Sequence, residues 1–346
     1  MKLYSNESLC FDDILMVPQH SNITSRKNVN LKTNIGLGVK SIGLSTPVVA
    51  APMDTVCDAR MALAIRKQGG LGIIHRYMSI DALRQSIVST IYPDPELFGV
   101  AVGAKGDYLE RSYMAATLRA SVILVDTANG HSQYAVDAVR AIRTNLGNRI
   151  HIMAGNVSTY DGFMRLQDAG ADSIRVGIGG GSVCTTRIVS GHGMPTLSSI
   201  IDIRERLPQG SGASIVADGG IRNSGDAVKA FAAGADAVML GSYLAGTDES
   251  PGEIYSDNRK EYKLFRGMAS AAAQKDANGT VSVEEGVSTS VEYKGPLAHV
   301  LDEFRGGLGS GLSYSGVNNL EELHQHSMYI SVSQASLGES RPHGKR

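Results

Sequence analysis

Apolar runs of four to seven residues punctuate the chain at 47–53, 70–74, 98–102, 122–126, 150–154, 173–178, 214–217 and 237–240. They lack the polar alternation of a half-solvated strand, which predicts short strands buried on both faces. Between them, segments 58–68, 80–89, 134–146, 160–169, 194–206 and 224–233 repeat their apolar residues at helical spacing. Strands alternating with helices predict a parallel sheet, because parallel neighbours need crossovers of this length. Eight such units predict an α/β chain folded as a single (β/α)8 TIM barrel. A doubly wound open sheet is the weaker alternative, since no G-x-G-x-x-G opens a helix after the first strand. The phrase Ala-Gly-Ala-Asp occurs at 169–172 and again at 233–236, each time between a helix and a strand. It marks two βα units and carries no chemistry of its own.

One barrel domain is therefore expected over 1–346, without an inserted module. A flap over 267–286 follows strand eight, and a polar tail covers 332–346. The flap segment is polar and shows no sustained period, and a loop of that length in a compact domain is commonly a lid. Glu284 and Glu285 lie near its end, where either could bring a carboxylate toward the mouth of the barrel.

Composition narrows the partners. The 33 basic and 34 acidic residues leave a net charge of −1, so no broad field favours nucleic acid or a membrane surface. Cys10, Cys57 and Cys184 are odd in number and widely spaced, which argues against a disulfide framework and for a reducing, cytoplasmic setting. No apolar run approaches the roughly 20 residues needed to span a bilayer, and a soluble protein is expected.

The candidate chemistry collects at the ends of the predicted strands. Residues 177–181 hold four glycines in five positions, followed by Ser182, Cys184, Thr185 and Thr186. Glycine lets backbone approach a ligand closely, and a thiol beside two hydroxyls offers a nucleophile with proton-handling neighbours. Met53 and Asp54 end the first strand, Asp126 the fourth and Asn156 the fifth. Asp218, Gly219 and Gly220 follow the seventh, and Gly241 and Ser242 the eighth. In this fold the C-terminal ends of the strands carry the active site, with phosphate commonly held after strands seven and eight.

Taken in order, these segments resemble the family of inosine-monophosphate dehydrogenases and guanosine-monophosphate reductases. The resemblance runs through 11–15, 51–56, 153–157, 177–186, 218–221, 240–242, 250–253, 267–268 and 293–295, and so covers nearly the whole chain. It implies that Cys184 attacks C2 of a purine nucleotide and holds it covalently. It further implies that Ser182, Gly220, Gly241 and Ser242 bind the 5′-phosphate and Asp218 the ribose, with Met53, Gly219, Gly267 and Met268 completing the nucleotide pocket. Asp126 and Asn156 fall where the nicotinamide lies, and the carbonyls of Gly179, Gly181 and Cys184 match a potassium site. Members of the family assemble as homotetramers or homo-octamers.

Within the family the flap discriminates. Dehydrogenases use a flap Arg-Tyr pair to activate water, and 267–285 contains neither residue; the pair Arg76-Tyr77 follows strand two instead. In reductases, residues matching Thr186 and Glu285 form a relay for the departing ammonia. The expectation is a GMP reductase that converts GMP to IMP with NADPH. The alternative is an IMP dehydrogenase lacking its regulatory module and using NAD. A nucleotide-binding protein with little turnover is a third reading, motivated by Arg76 and Gly309, which stand where the family usually has lysine and arginine. Gly180 likewise replaces a common proline, and 337–340 resembles the dehydrogenase C-terminus, where a neighbouring subunit's glutamate completes the cation site.

Overall fold

The apolar runs become strands because both of their faces are covered, one by the barrel interior and one by helices. A computed structural model of the chain describes residues 8–36, 38–92, 97–208, 212–333 and 335–340. Its barrel strands are β1 Val48–Ala50, β2 Leu71–Ile74, β3 Gly99–Val102, β4 Val122–Asp126, β5 His151–Val157, β6 Ser173–Val176, β7 Ser214–Asp218 and β8 Ala237–Leu240. All neighbours are parallel, and Val238 of β8 pairs with Val48 of β1 to close the ring. The main outer helices are α1 Ala59–Lys67, α2 Ile80–Thr90, α3 Tyr108–Thr117, α4 Gln133–Leu146, α5 Tyr160–Asp168, α6 Thr196–Arg206, α7 Ser224–Ala232 and α8 Leu297–Ser315.

The two-residue period of the strands decides which side chains reach the mouth. Along β4, Val122 and Leu124 join the interior cluster with Ile73, Met153, Val216 and Met239, while Ile123 and Val125 pack against the helices. The inward series of β4 ends on Asp126. In β6, Ile174 and Val176 face outward, which turns Arg175 inward; in β7 the inward series runs from Val216 to Asp218. The opposite end of the barrel is plugged by the hairpin Thr33–Ile35 and Ile42–Leu44, whose Ile35, Ile42 and Leu44 belong to the same interior cluster.

The repeated Ala-Gly-Ala-Asp phrase builds the same clamp twice. Asp172 accepts from the N–H of Ile152 at 2.8 Å and is paired with Arg143 of α4. Asp236 accepts from the N–H of Ile215 at 2.7 Å and pairs with Arg204 of α6. Gly170 and Gly234 have φ of +109° and +104°, and a Cβ there would press on the arginine stems at 2.9 and 2.5 Å. Each phrase thus ties a helix to two strands through one arginine.

Two elements run against local propensity. α8 contains Gly306, Gly307, Gly309 and Gly311, each costing a helix about 1 kcal/mol relative to alanine. Packing overrides that cost: a Cβ on Gly307 would stand 2.0 Å from Ser224 Oγ and one on Gly311 2.4 Å from Val228 Cγ2, so α8 lies directly on α7. Gly309 is set against the Arg26 carbonyl, 2.8 Å from an added Cβ. The flap differs from the irregular stretch its sequence suggests. It is carried on the antiparallel strands Lys260–Arg266 and Ser288–Glu292 and contains a helix, Ala271–Asn278. Ser270 caps that helix by accepting from Ala273 N, and Gly279 ends it at φ +71°. Four alanines favour the helix, but eight residues are too few to display a period. Among the described residues, no helix is long and apolar enough to cross a membrane.

Candidate active site

A cavity of about 360 Å³ opens at the C-terminal ends of the strands. Met53, Asp126, Asn156, Gly179, Gly181, Ser182, Cys184, Thr186, Asp218, Gly219, Gly220, Gly241, Ser242, Gly267, Met268 and Glu285 all line it. Strand geometry brings these positions together from β1 and β4 to β8, and the flap adds the last three.

The thiol sits at one end of a directed hydrogen-bond chain. Cys184 Sγ donates to Thr186 Oγ1 at 3.2 Å, and that hydroxyl donates to Glu285 Oε2 at 2.8 Å. A proton can therefore pass from sulfur to carboxylate through one hydroxyl. Backbone pairing fixes the two partners despite 99 residues of separation. Thr185 N donates to Glu285 O at 3.1 Å, Val287 N to Val183 O at 2.9 Å, and Cys184 bridges Gly286. The approach is tight: a Cβ on Gly267 or Gly286 would lie 3.1 or 3.2 Å from Val183 O. Of the two flap glutamates only Glu285 reaches the thiol region. Glu284 turns back to accept from Ala271 N at 3.1 Å, at the start of the flap helix.

Facing the thiol loop is an ion network centred on Arg175, which the sequence reading does not single out. Arg175 is 8 % exposed and donates to Asp126 at 2.6 Å and to Asp218 at 2.8 and 3.2 Å. Asp126 also accepts from Arg76 at 3.2 Å, and Asp218 from the Asn156 amide at 2.7 Å. Burial would push the Asp126 carboxyl up, but the guanidinium groups of Arg175 and Arg76 outweigh it and hold the carboxyl below its ordinary range. Arg175 responds in kind: burial opposes its charge, and the two carboxylates more than restore it. An arginine amid Ile174 and Val176, on a strand buried on both faces, was the available sequence signal. Arg175→Met leaves two buried carboxylates without their shared partner, and the loss of one member of such a network costs about 3–5 kcal/mol. Urea unfolding of the variant at neutral pH checks this.

The glycine corner after β7 and β8 exposes backbone donors. Gly219 and Gly220 have φ of +90° and +83°, and a Cβ on Gly219 would sit 3.1 Å from Gly180 C. The N–H groups of Ser182, Gly220 and Ser242 have no acceptor among the described residues. All three residues line the same cavity, and unpaired backbone amides are suited to binding an anion. Gly180, where the resemblance leads to an expectation of proline, lies close to its neighbour: an added Cβ would meet the buried Thr196 Oγ1 at 2.9 Å. In the loop expected to bind a cation, the Gly181 carbonyl accepts from Cys184 N at 3.1 Å, while those of Gly179 and Cys184 accept no hydrogen bond among the described residues. No group of three His, Cys, Asp or Glu among the described residues could hold a metal.

Arg76 and Tyr77, remote from the flap in sequence, also line the cavity. The guanidinium carbon lies 4.9 Å from the Tyr77 ring centroid, and burial pushes the phenol up.

Comparison with known proteins matches this architecture. The family model described as the IMP dehydrogenase / GMP reductase domain covers residues 8–343. An inosine-5′-monophosphate dehydrogenase of Borreliella burgdorferi is 35 % identical, over 98 % of this chain and 97 % of its own length. A GMP reductase of Leishmania major is 31 % identical, over 97 % of each. The crystal structure of a cysteine-to-alanine variant of Trypanosoma brucei GMP reductase, in complex with guanosine 5′-monophosphate, superimposes with a TM-score of 0.89 at 28 % identity, covering 99 % of both chains. The chain belongs to the IMP dehydrogenase / GMP reductase family of oxidoreductases, which bind purine nucleoside monophosphates and use nicotinamide cofactors.

Proposed function

We propose that the protein is a GMP reductase, converting GMP, NADPH and two protons to IMP, NADP+ and ammonium. The observation that carries this reading is the Cys184–Thr186–Glu285 chain of hydrogen bonds. In this reading the amides of Ser182, Gly220 and Ser242, with Gly241, grip the 5′-phosphate, and Asp218 orients the ribose hydroxyls. Met53, Gly219, Gly267 and Met268 enclose the rest of the nucleotide. Cys184 passes its proton through Thr186 to Glu285, and the thiolate bonds to C2 of the purine. The same relay returns protons to the exocyclic amine, whose C–N bond breaks to release ammonia. Cys184 then holds the ring until C2 is reduced and the C–S bond breaks.

Asp126 and Asn156 would hold the nicotinamide end of the cofactor. The fit is favourable at Asn156, whose amide nitrogen is committed to Gly177 O and Asp218, while its oxygen has no donor among the described residues and can accept from a carboxamide. When bound, the reduced nicotinamide supplies the hydride that C2 receives. Gly179, Gly181 and Cys184 offer carbonyls to a potassium ion, whose remaining oxygens must come from elsewhere, in a homotetramer or homo-octamer from a neighbouring subunit. The flap supports the reductase, since 267–285 holds no arginine or tyrosine to activate water. The 91–98 connection between α2 and β3 leaves no room for an inserted module, which agrees with a single catalytic domain.

One observation favours the dehydrogenase alternative, in which IMP is oxidised to XMP with NAD. Arg76 and Tyr77 place a guanidinium and a phenol in the same cavity. Arg76 is, however, committed to Asp126 at 3.2 Å, which speaks for a part in holding that carboxylate. Steady-state assays separate the readings. GMP-dependent loss of NADPH absorbance is expected; potassium-stimulated formation of NADH from IMP, with no activity toward GMP, would replace the reductase by the dehydrogenase.

A further inference from the structure

The N-terminal ends of the strands carry a second groove, of about 1160 Å³, far from the thiol. Leu97, Ser121 and Ile150, the residues leading into β3, β4 and β5, form its floor, and the ends of α3 and α4 form its walls. Among the described residues Lys40, Arg66, Arg119 and Arg149 line it, with no Asp or Glu, in a chain whose 33 basic and 34 acidic residues otherwise balance. Lys40 is paired with Asp172 at 2.5 Å, and Arg66 also has a partner. Arg119 and Arg149 are exposed, and neither guanidinium has a hydrogen-bond or ion-pair partner among the described residues.

Arg119 stands where glycine is favoured. It follows the C-cap of α3 at φ +62°, with its N–H bonded to Ala116 O and the next N–H to Ala115 O. This is the left-handed residue of a helix stop, a conformation that side chains adopt at a cost. The strained position projects a guanidinium into a groove that no carboxylate lines among the described residues. Tyr113 adds an aromatic wall: it is 45 % exposed, and its hydroxyl is tied to Asn145 at 2.7 Å, which fixes the ring.

We propose that this groove binds a polyphosphate chain, with Arg119 and Arg149 as the phosphate ligands. Guanidinium groups suit the role because their planar donors meet phosphate oxygens in pairs. The chain can be inorganic or can belong to a nucleotide, in which case the Tyr113 ring stacks on the base. The assignment is independent of the reaction proposed for the other end of the barrel.

Calorimetric titration of the full chain tests it, with inorganic tripolyphosphate and with a nucleoside triphosphate, each in the presence of saturating GMP to fill the catalytic cavity. Saturable binding is expected. Arg119→Gly and Arg149→Gln should each weaken it about tenfold and leave GMP turnover unchanged. Arg119→Gly is favoured by the backbone at +62°, so an equal or higher Tm shows that the fold is intact. Tighter binding of the nucleotide that is lost in Tyr113→Ala assigns the base to the ring, and equal binding of both probes assigns the phosphate chain alone. Absence of saturable heat, or unchanged affinity in both arginine variants, overturns the proposal.

Discussion

Glu285→Gln is expected to slow GMP turnover by about 10²- to 10⁴-fold, the usual contribution of a positioned acid–base group. The amide can still accept from Thr186 Oγ1, which now stands 2.8 Å from the carboxylate, so the flap should close as before. What it cannot do is take up and return a proton. The loss should therefore fall on kcat, with KM for GMP little changed. Thr186→Val interrupts the same chain at its middle and should cost a similar factor. Because the two residues act in series, the double variant should be scarcely slower than either single one. Additive losses would show that Thr186 and Glu285 work separately.

Cys184→Ala should reduce turnover by about 10⁴-fold or more, since no other group at the site can form the bond to C2. GMP binding should survive, because the phosphate cradle and Asp218 do not depend on sulfur. A Tm shift with GMP that persists in the variant, together with loss of the nucleotide adduct on the peptide containing Cys184 by mass spectrometry, would separate chemistry from binding. Loss of the Tm shift would instead mean that the thiol is needed to shape the site.

Much of this was legible before any coordinates. Strands buried on both faces print as unbroken apolar runs, and the glycine-rich segment ahead of Cys184 announces a close backbone approach. Other features were hidden for physical reasons. α8 carries four glycines, and only the Ser224 and Val228 contacts explain why a helix forms there. Glu285 was one of two adjacent glutamates, and the pairing of Val287 with Val183 is what selects it over Glu284. Arg175 lay inside an apolar run, where period-two geometry turns it toward Asp126 and Asp218. Arg76 and Tyr77 were distant in sequence from the flap, yet barrel closure brings both to the same cavity. Helix and strand periods describe one element at a time, whereas these features arise from contacts between elements.

The central claim is reductive deamination of GMP. Its most direct test is to incubate the protein with GMP and NADPH, and separately with IMP, NAD and potassium, and to identify the nucleotide products by chromatography while measuring ammonia. IMP from the first mixture, with one ammonia released per NADPH consumed, is the predicted result. XMP from the second mixture, with GMP left intact in the first, would contradict it and make Arg76 and Tyr77 the groups to examine as activators of water.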